Sequence, residues 1–110
     1  MTFAVIAVDG TVTEIPSTTS PAALGSLVGG YLEGLRARGD SGITGYCDEE
    51  AALKQGVAGN PLASAILGYD LPLLGPVVLM GTEDPESGID TDLTRKQWRL
   101  IREAAAAFTA

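Results

Sequence analysis

The sequence predicts an α+β domain, a small, mainly antiparallel sheet of about four strands with two main helices packed on one face. Three observations carry that reading. A short apolar, β-branched run from Phe3 to Val8 meets Asp9-Gly10, a dipeptide suited to a tight hairpin turn. Two cap-then-proline signals, Ser20-Pro21 and Asn60-Pro61, each open a helix-period stretch. A capping box, Thr94 with Gln97, opens another. With 110 residues, the chain is read as one domain, 1-110, large enough for a single core.

Taken in order, Phe3 to Ile15 reads as a hairpin whose second arm, Thr11 to Ile15, alternates like a strand with one wet face. Pro16 ends it. The first helix is predicted over Pro21 to Leu35, because Leu24, Leu27, Val28, Tyr31 and Leu35 form one apolar stripe. Gly42 to Cys47 reads as a third strand interrupted by Gly45, and Asp48 as the cap of a helical turn through Gln55. Leu62 to Leu67 is a short helix stopped near Gly68, and Val77 to Met80 is the fourth strand. Thr82 to Asp92 is an acidic loop. The last helix, Arg95 to Phe108, follows a hydrophobic staple of Leu93 and Trp98 and presents Trp98, Ile101, Ala105 and Phe108 to the core.

Seven basic against fourteen acidic side chains give a net charge of -7, which opposes binding to phosphate backbones, so no nucleic acid is expected as partner. No apolar run approaches the about 18 to 20 residues of a membrane span, and no basic leader opens the chain. A cytoplasmic protein with no membrane partner is the simple expectation. There is no histidine, and the one cysteine, Cys47, excludes an internal disulfide and a Cys/His zinc site. Neither a cofactor nor a metal is expected.

Gly25, Gly29, Gly30 and Gly34 sit within the predicted first helix, where each costs about 1 kcal/mol relative to Ala unless something approaches the bare backbone. They match neither a Walker loop nor a dinucleotide fingerprint. A packing surface is the better reading. The apolar stripe already fills one helix face and leaves the glycines partly on another, which favours a second copy of the chain over an internal neighbour. Gly25, Gly29, Gly30, Tyr31, Glu33 and Gly34 are therefore the candidate interface.

Other groups carry weaker signals. Asp48, Glu49 and Glu50 suit acid/base or cation chemistry, but three acids in a row more often mark a helix start. Cys47 beside them is a poor nucleophile, since adjacent anions raise a thiol's pKa. Glu83, Asp84, Glu86, Asp90 and Asp92 invite a calcium reading without the spacing of an EF-hand, so a solvated loop is expected. Arg95, Arg99 and Arg102 form a stripe on the last helix, suited to phosphate or an acidic partner, or to pairing with the acidic loop. Asn60, beside the flexible Gly56 to Pro61 stretch, is a candidate ligand or partner contact.

Leu27-Val28-Gly29-Gly30-Tyr31-Leu32-Glu33 resembles the Val-Gly-Gly-Tyr-Ile-Glu signature of the phage- and plasmid-borne family catalogued as domain of unknown function 3846. The order around it also fits, with Asp48-Glu49-Glu50 after a strand, Asn60, Gly75 before Val77 to Met80, and Leu93-Thr94 at a helix start. The likeness runs from about Val5 to Trp98. Ala51 to Gln55 extends the region where the family usually turns tightly after its acidic pair. The resemblance implies a mobile-element source and supplies no catalytic residues. Three functions follow as expectations. The first is a noncatalytic accessory protein that binds a host or viral protein, with a homodimer as a further expectation. The second is a protein that sequesters a small ligand, such as a nucleotide signal. An enzyme comes last, because no nucleophile-base pair is visible.

Overall fold

The computed structural model describes residues 2-70, 72-82, 86 and 91-109. Strands β1 (Thr2–Ile6) and β2 (Val12–Pro16) form the opening hairpin. Its turn runs from Ala7 to Gly10, closed by the Gly10 amide donating to the Ala7 carbonyl at 3.0 Å. Only Gly10 takes a positive φ, of 91°, so the turn is not the mirror-image type expected from Asp9-Gly10. Asp9 instead accepts the Thr11 amide at 2.9 Å.

Helix α1 is Pro21–Val28 and is followed at once by strand β3 (Leu32–Arg36). The expected helix through Leu35 is therefore half that length, and its second half is a strand paired with β4 (Thr44–Asp48). A 3-10 turn at Ala51–Leu53 replaces the longer helical turn expected after Asp48, which ends β4 and does not cap the turn. Strand β5 (Gly59–Asn60), helix α2 (Pro61–Leu67), strand β6 (Leu73–Leu74), strand β7 (Val77–Met80) and helix α3 (Arg95–Thr109) complete the order. The main sheet has five strands, β2-β1-β7-β4-β3, and every junction is antiparallel. β5 and β6 make a separate two-stranded ribbon. The sheet is the small, mainly antiparallel one expected, with a fifth strand because Leu32–Arg36 pairs with β4 in place of continuing the helix.

The helices cover both faces and not one. Ala4, Ile6, Val77 and Leu79 face α2 and α3, where they meet Leu62, Ala63, Leu67, Leu93 and Ile101. Phe3, Val78 and Met80 face the other way and meet Leu24 and Val28 of α1. The cause is legible in β7. Successive strand residues point to opposite faces, and four apolar residues in a row leave both faces needing cover. One helical layer buries only half of them.

Local signals hold at the ends of α2 and α3. Asn60 accepts the Ala63 amide at 3.1 Å, Pro61 occupies the first turn, and Gly68 closes the helix at φ 79°. Thr94 and Gln97 exchange both bonds of a capping box, at 2.9 and 3.1 Å. Trp98 donates to the Thr2 hydroxyl at 3.0 Å and packs with Leu93 against the core around Ile101. Phe108 lies further out and covers the hairpin turn, where a Cβ on Gly10 would meet its ring at 2.8 Å. No helix of the described residues is long and apolar enough to cross a membrane.

Candidate functional site

The helix α1 stops where glycine lets it stop. Gly29 adopts φ 100°, a left-handed value that costs other residues, and the amides of Gly29 and Gly30 both donate to the Gly25 carbonyl at 2.9 Å. Gly25 has its own reason to be small, since a Cβ there would lie 2.9 Å from the Gly30 carbonyl oxygen. The seam of small residues expected along a longer helix therefore does not exist. Its glycines fold the helix exit back on itself.

Gly30 makes room for a carboxylate. A Cβ at that position would lie 2.6 Å from Asp48 Oδ1. Asp48 Oδ1 accepts the Glu50 amide at 3.0 Å, and Oδ2 accepts the Lys54 ammonium at 2.6 Å. Lys54 Nζ also donates to the Gly29 carbonyl at 2.7 Å, so one ammonium ties the helix exit to the end of β4. The Lys54 bond, then the Glu50 amide, holds the Asp48 carboxyl below its ordinary value of 3.8. Its side chain is only 4% exposed, which keeps the pair from being a loose surface contact. Asp48 is thus structural, through a clamp and not the helix start expected of the acidic triplet.

From this exit the chain enters β3 with Tyr31 pointing outward, 71% exposed, while its carbonyl accepts the Glu49 amide at 2.8 Å. A shallow groove lies beside it, lined by Pro21, Ala22, Gly25, Ser26, Gly30 and Leu32. β3 is an edge strand, and its backbone groups alternate between β4 and the open side. The bonds from Glu49 to the Tyr31 carbonyl and from Ala37 to the Ile43 carbonyl show that odd-numbered residues face β4. Leu32, Gly34 and Arg36 consequently face outward. The Tyr69 hydroxyl fills the Arg36 end, donating to its carbonyl at 2.8 Å and accepting its amide at 3.4 Å. Beyond it, the Arg38 amide donates to the Leu67 carbonyl at 2.8 Å. Among the described residues, Leu32 and Gly34 have no outward hydrogen bond.

Glu33, between those two, turns to the face that carries α2 and α3 and accepts the Cys47 thiol at 3.8 Å. Burial, then the Glu33 charge, pushes the Cys47 thiol up to about 11, with Asp48 adding to it. At neutral pH that sulfur is a protonated core group and not a nucleophile.

The structure gathers Gly25, Gly29, Gly30, Tyr31, Glu33 and Gly34 at the junction of α1 and β3, and leaves the other candidates elsewhere. Asn60 is fully buried. Its Nδ2 donates to the Ile6 and Gly75 carbonyls at 2.8 and 2.9 Å, which makes it a core tie and not the ligand or partner contact expected. Arg95, Arg99 and Arg102 line a shallow depression on α3, across the sheet from α1. Arg102 stacks over Trp98 at 4.8 Å and lies 3.8 Å from Glu14 of β2, so the hairpin supplies a partner for it. Within that loop, Glu83, Asp84 and Asp90 lie outside the described residues. Lys54 and Tyr69 are the functional neighbours that the sequence did not single out. No local period marks them, because each acts only once a distant strand has returned beside it.

Fold and junction together define a small α+β domain with helices on both sheet faces and with β3 as a partly open edge. The family model described as Domain of unknown function (DUF3846) matches residues 1–106, and the chain belongs to that family. The segment that carried the resemblance, Leu27 to Glu33, is the helix exit and strand entry just described. Comparison with curated proteins and with solved structures finds no match.

Proposed function

We propose that the protein is a small noncatalytic accessory protein of a bacteriophage or related mobile element that acts in the host cytoplasm by binding a host or viral protein. The observation that carries the reading is the exposure of Tyr31 beside an open strand edge and a shallow groove. A tyrosine offers large area at low entropic cost, and edges and grooves of this kind are where proteins dock peptides and loops. The noncatalytic part draws support from the raised thiol of Cys47 and from the structural use of Asp48. Sequestration of a nucleotide signal is the weaker reading, since among the described residues no cation lines the groove to hold a phosphate.

Native mass spectrometry of the protein isolated from host cells carrying the element tests this. A retained protein that is lost on Tyr31→Ala is the expected result. A retained small molecule instead would establish sequestration, and retention of neither would remove both readings.

A further inference from the structure

Gly34 is the glycine of the junction that the fold itself does not require. Its φ is not in the left-handed region, and a Cβ there would meet only Tyr46 Cε1, at the ordinary contact distance of 3.8 Å. Gly29 and Gly30, by contrast, are demanded by the helix exit and by the Asp48 carboxylate. A glycine inside a strand weakens it and marks a place where another backbone comes close. Gly34 lies on the open edge, and its amide and carbonyl point outward together with those of Leu32. The edge is therefore a short dock of two bonding residues, bounded at one end by the Tyr69 hydroxyl on Arg36 and at the other by the Gly30 amide bonded to Gly25.

Two occupants fit an open edge, a second copy of this chain or an extended segment of another protein. A second copy has two symmetric registers to consider. The one centred on Gly34 sets Leu32 against the partner's Arg36, whose outward groups Tyr69 already holds. The one centred on Glu33 uses Leu32 and Gly34 fully, but places Glu33 directly opposite its own copy in a close, non-hydrogen-bonded pair, and like charges there are destabilising. A net charge of -7 on each chain adds to the repulsion. The same carboxylate that rejects a copy attracts a cation.

We propose that β3 binds an extended segment of a partner protein by antiparallel strand addition at Leu32 and Gly34, with a lysine or arginine of that segment opposite Glu33. This rests on the protein-binding reading and names its mode. The residue opposite Gly34 lies on the α1 face, over the bare backbone beside Tyr46, which favours an apolar or aromatic side chain there. The residue opposite Leu32 sits at the groove beside Tyr31.

The test uses two blocked pentapeptides, Thr-Val-Lys-Val-Thr and Thr-Val-Glu-Val-Thr, titrated into the isotopically labelled protein. The lysine peptide is expected to bind about tenfold or more tightly than the glutamate peptide, with shifts at the Leu32 and Gly34 amides. Gly34→Pro removes only an outward N–H from an edge strand, so the fold should survive while binding weakens about tenfold. Glu33→Lys should reverse the preference between the peptides. Equal affinities, unchanged binding by Gly34→Pro, or shifts confined elsewhere would overturn the proposal, as would a β3-to-β3 dimer in sedimentation. A cellular partner lost on Tyr31→Ala but kept by Gly34→Pro would sink strand addition and leave protein binding standing. Peptide binding as expected with no cellular partner retained would do the reverse.

Discussion

Helices α1 and α2 carry nearly the same punctuation and have very different weight. Each begins at a polar cap followed by proline, Ser20-Pro21 and Asn60-Pro61, and each ends at a left-handed glycine, Gly29 and Gly68. Ser20 accepts one amide, from Ala23 at 3.2 Å, in an exposed position. Asn60 accepts the equivalent bond from Ala63, but its amide also reaches β1 and the Gly75 turn, and its own carbonyl receives the Ser64 hydroxyl at 2.9 Å. A local rule specifies where a helix begins. How much that beginning contributes depends on what the remaining atoms of the cap touch.

The largest expected effect breaks the comparison at α2. Asn60→Ala removes the side-chain bonds to the Ile6 and Gly75 carbonyls and to the Ala63 amide in the interior, and a buried group left unsatisfied costs about 1 to 3 kcal/mol before water or relaxation offsets it. A loss of about 3 to 5 kcal/mol is expected by urea denaturation. The unfolding midpoint should fall at every protein concentration. A loss below about 1 kcal/mol would mean that the ties to Ile6 and Gly75 contribute nothing beyond an ordinary cap.

The next effect lies at the exit of α1. Gly30→Ala places a methyl group 2.6 Å from Asp48 Oδ1, so the carboxylate must move off Lys54 or the backbone must shift. Overpacking of this kind costs about 1 to 3 kcal/mol. The pH dependence identifies which bond breaks. Asp48 has a folded pKa below its ordinary 3.8, so its contribution is present above that value and is lost as pH falls through the folded pKa. Wild-type stability should therefore drop further between about pH 6 and about pH 3 than that of Gly30→Ala. An identical acid response in both proteins would show that the carboxylate stays on Lys54 and that the backbone takes up the strain.

Much of the fold was legible in the sequence because it is written in local chemistry. The hairpin, the starts of all three helices and β7 follow from turn dipeptides, caps and an apolar run. The failure was specific. Leu24, Leu27, Val28, Tyr31 and Leu35 satisfy a helical period, yet only the first and third of them bury against the α1 face as helix residues. A helical period makes Gly29-Gly30 a packing surface, whereas the structure uses Gly29 as a left-handed cap. What decided the matter was pairing: Leu32–Arg36 gains a full register with β4, and that partner lies beyond any local window. The surface was legible in outline, since the signature segment did prove to be the junction. The edge itself was not, because whether a strand is an edge is a property of the whole sheet order.

The smallest expected effect completes the comparison at the exposed cap. Ser20→Ala removes the bond to the Ala23 amide, but that amide is open to water, and Pro21 still presets the first turn. The expected cost is about 0.5 to 1 kcal/mol, several times less than for the buried cap. It should also be local. Amide exchange should quicken in α1 and leave β7 unchanged, because only Leu24 and Val28 of that helix are buried, against Leu62, Ala63, Ser64, Ile66 and Leu67 of α2. The Gly29 cap and the Lys54 bond to its carbonyl hold the far end of α1 independently of its start. If Ser20→Ala instead lowered protection throughout the sheet, α1 and the junction after it would unfold only with the whole domain. In that case β3 would be an edge as rigid as the core it borders, ready to receive a strand without any ordering of its own.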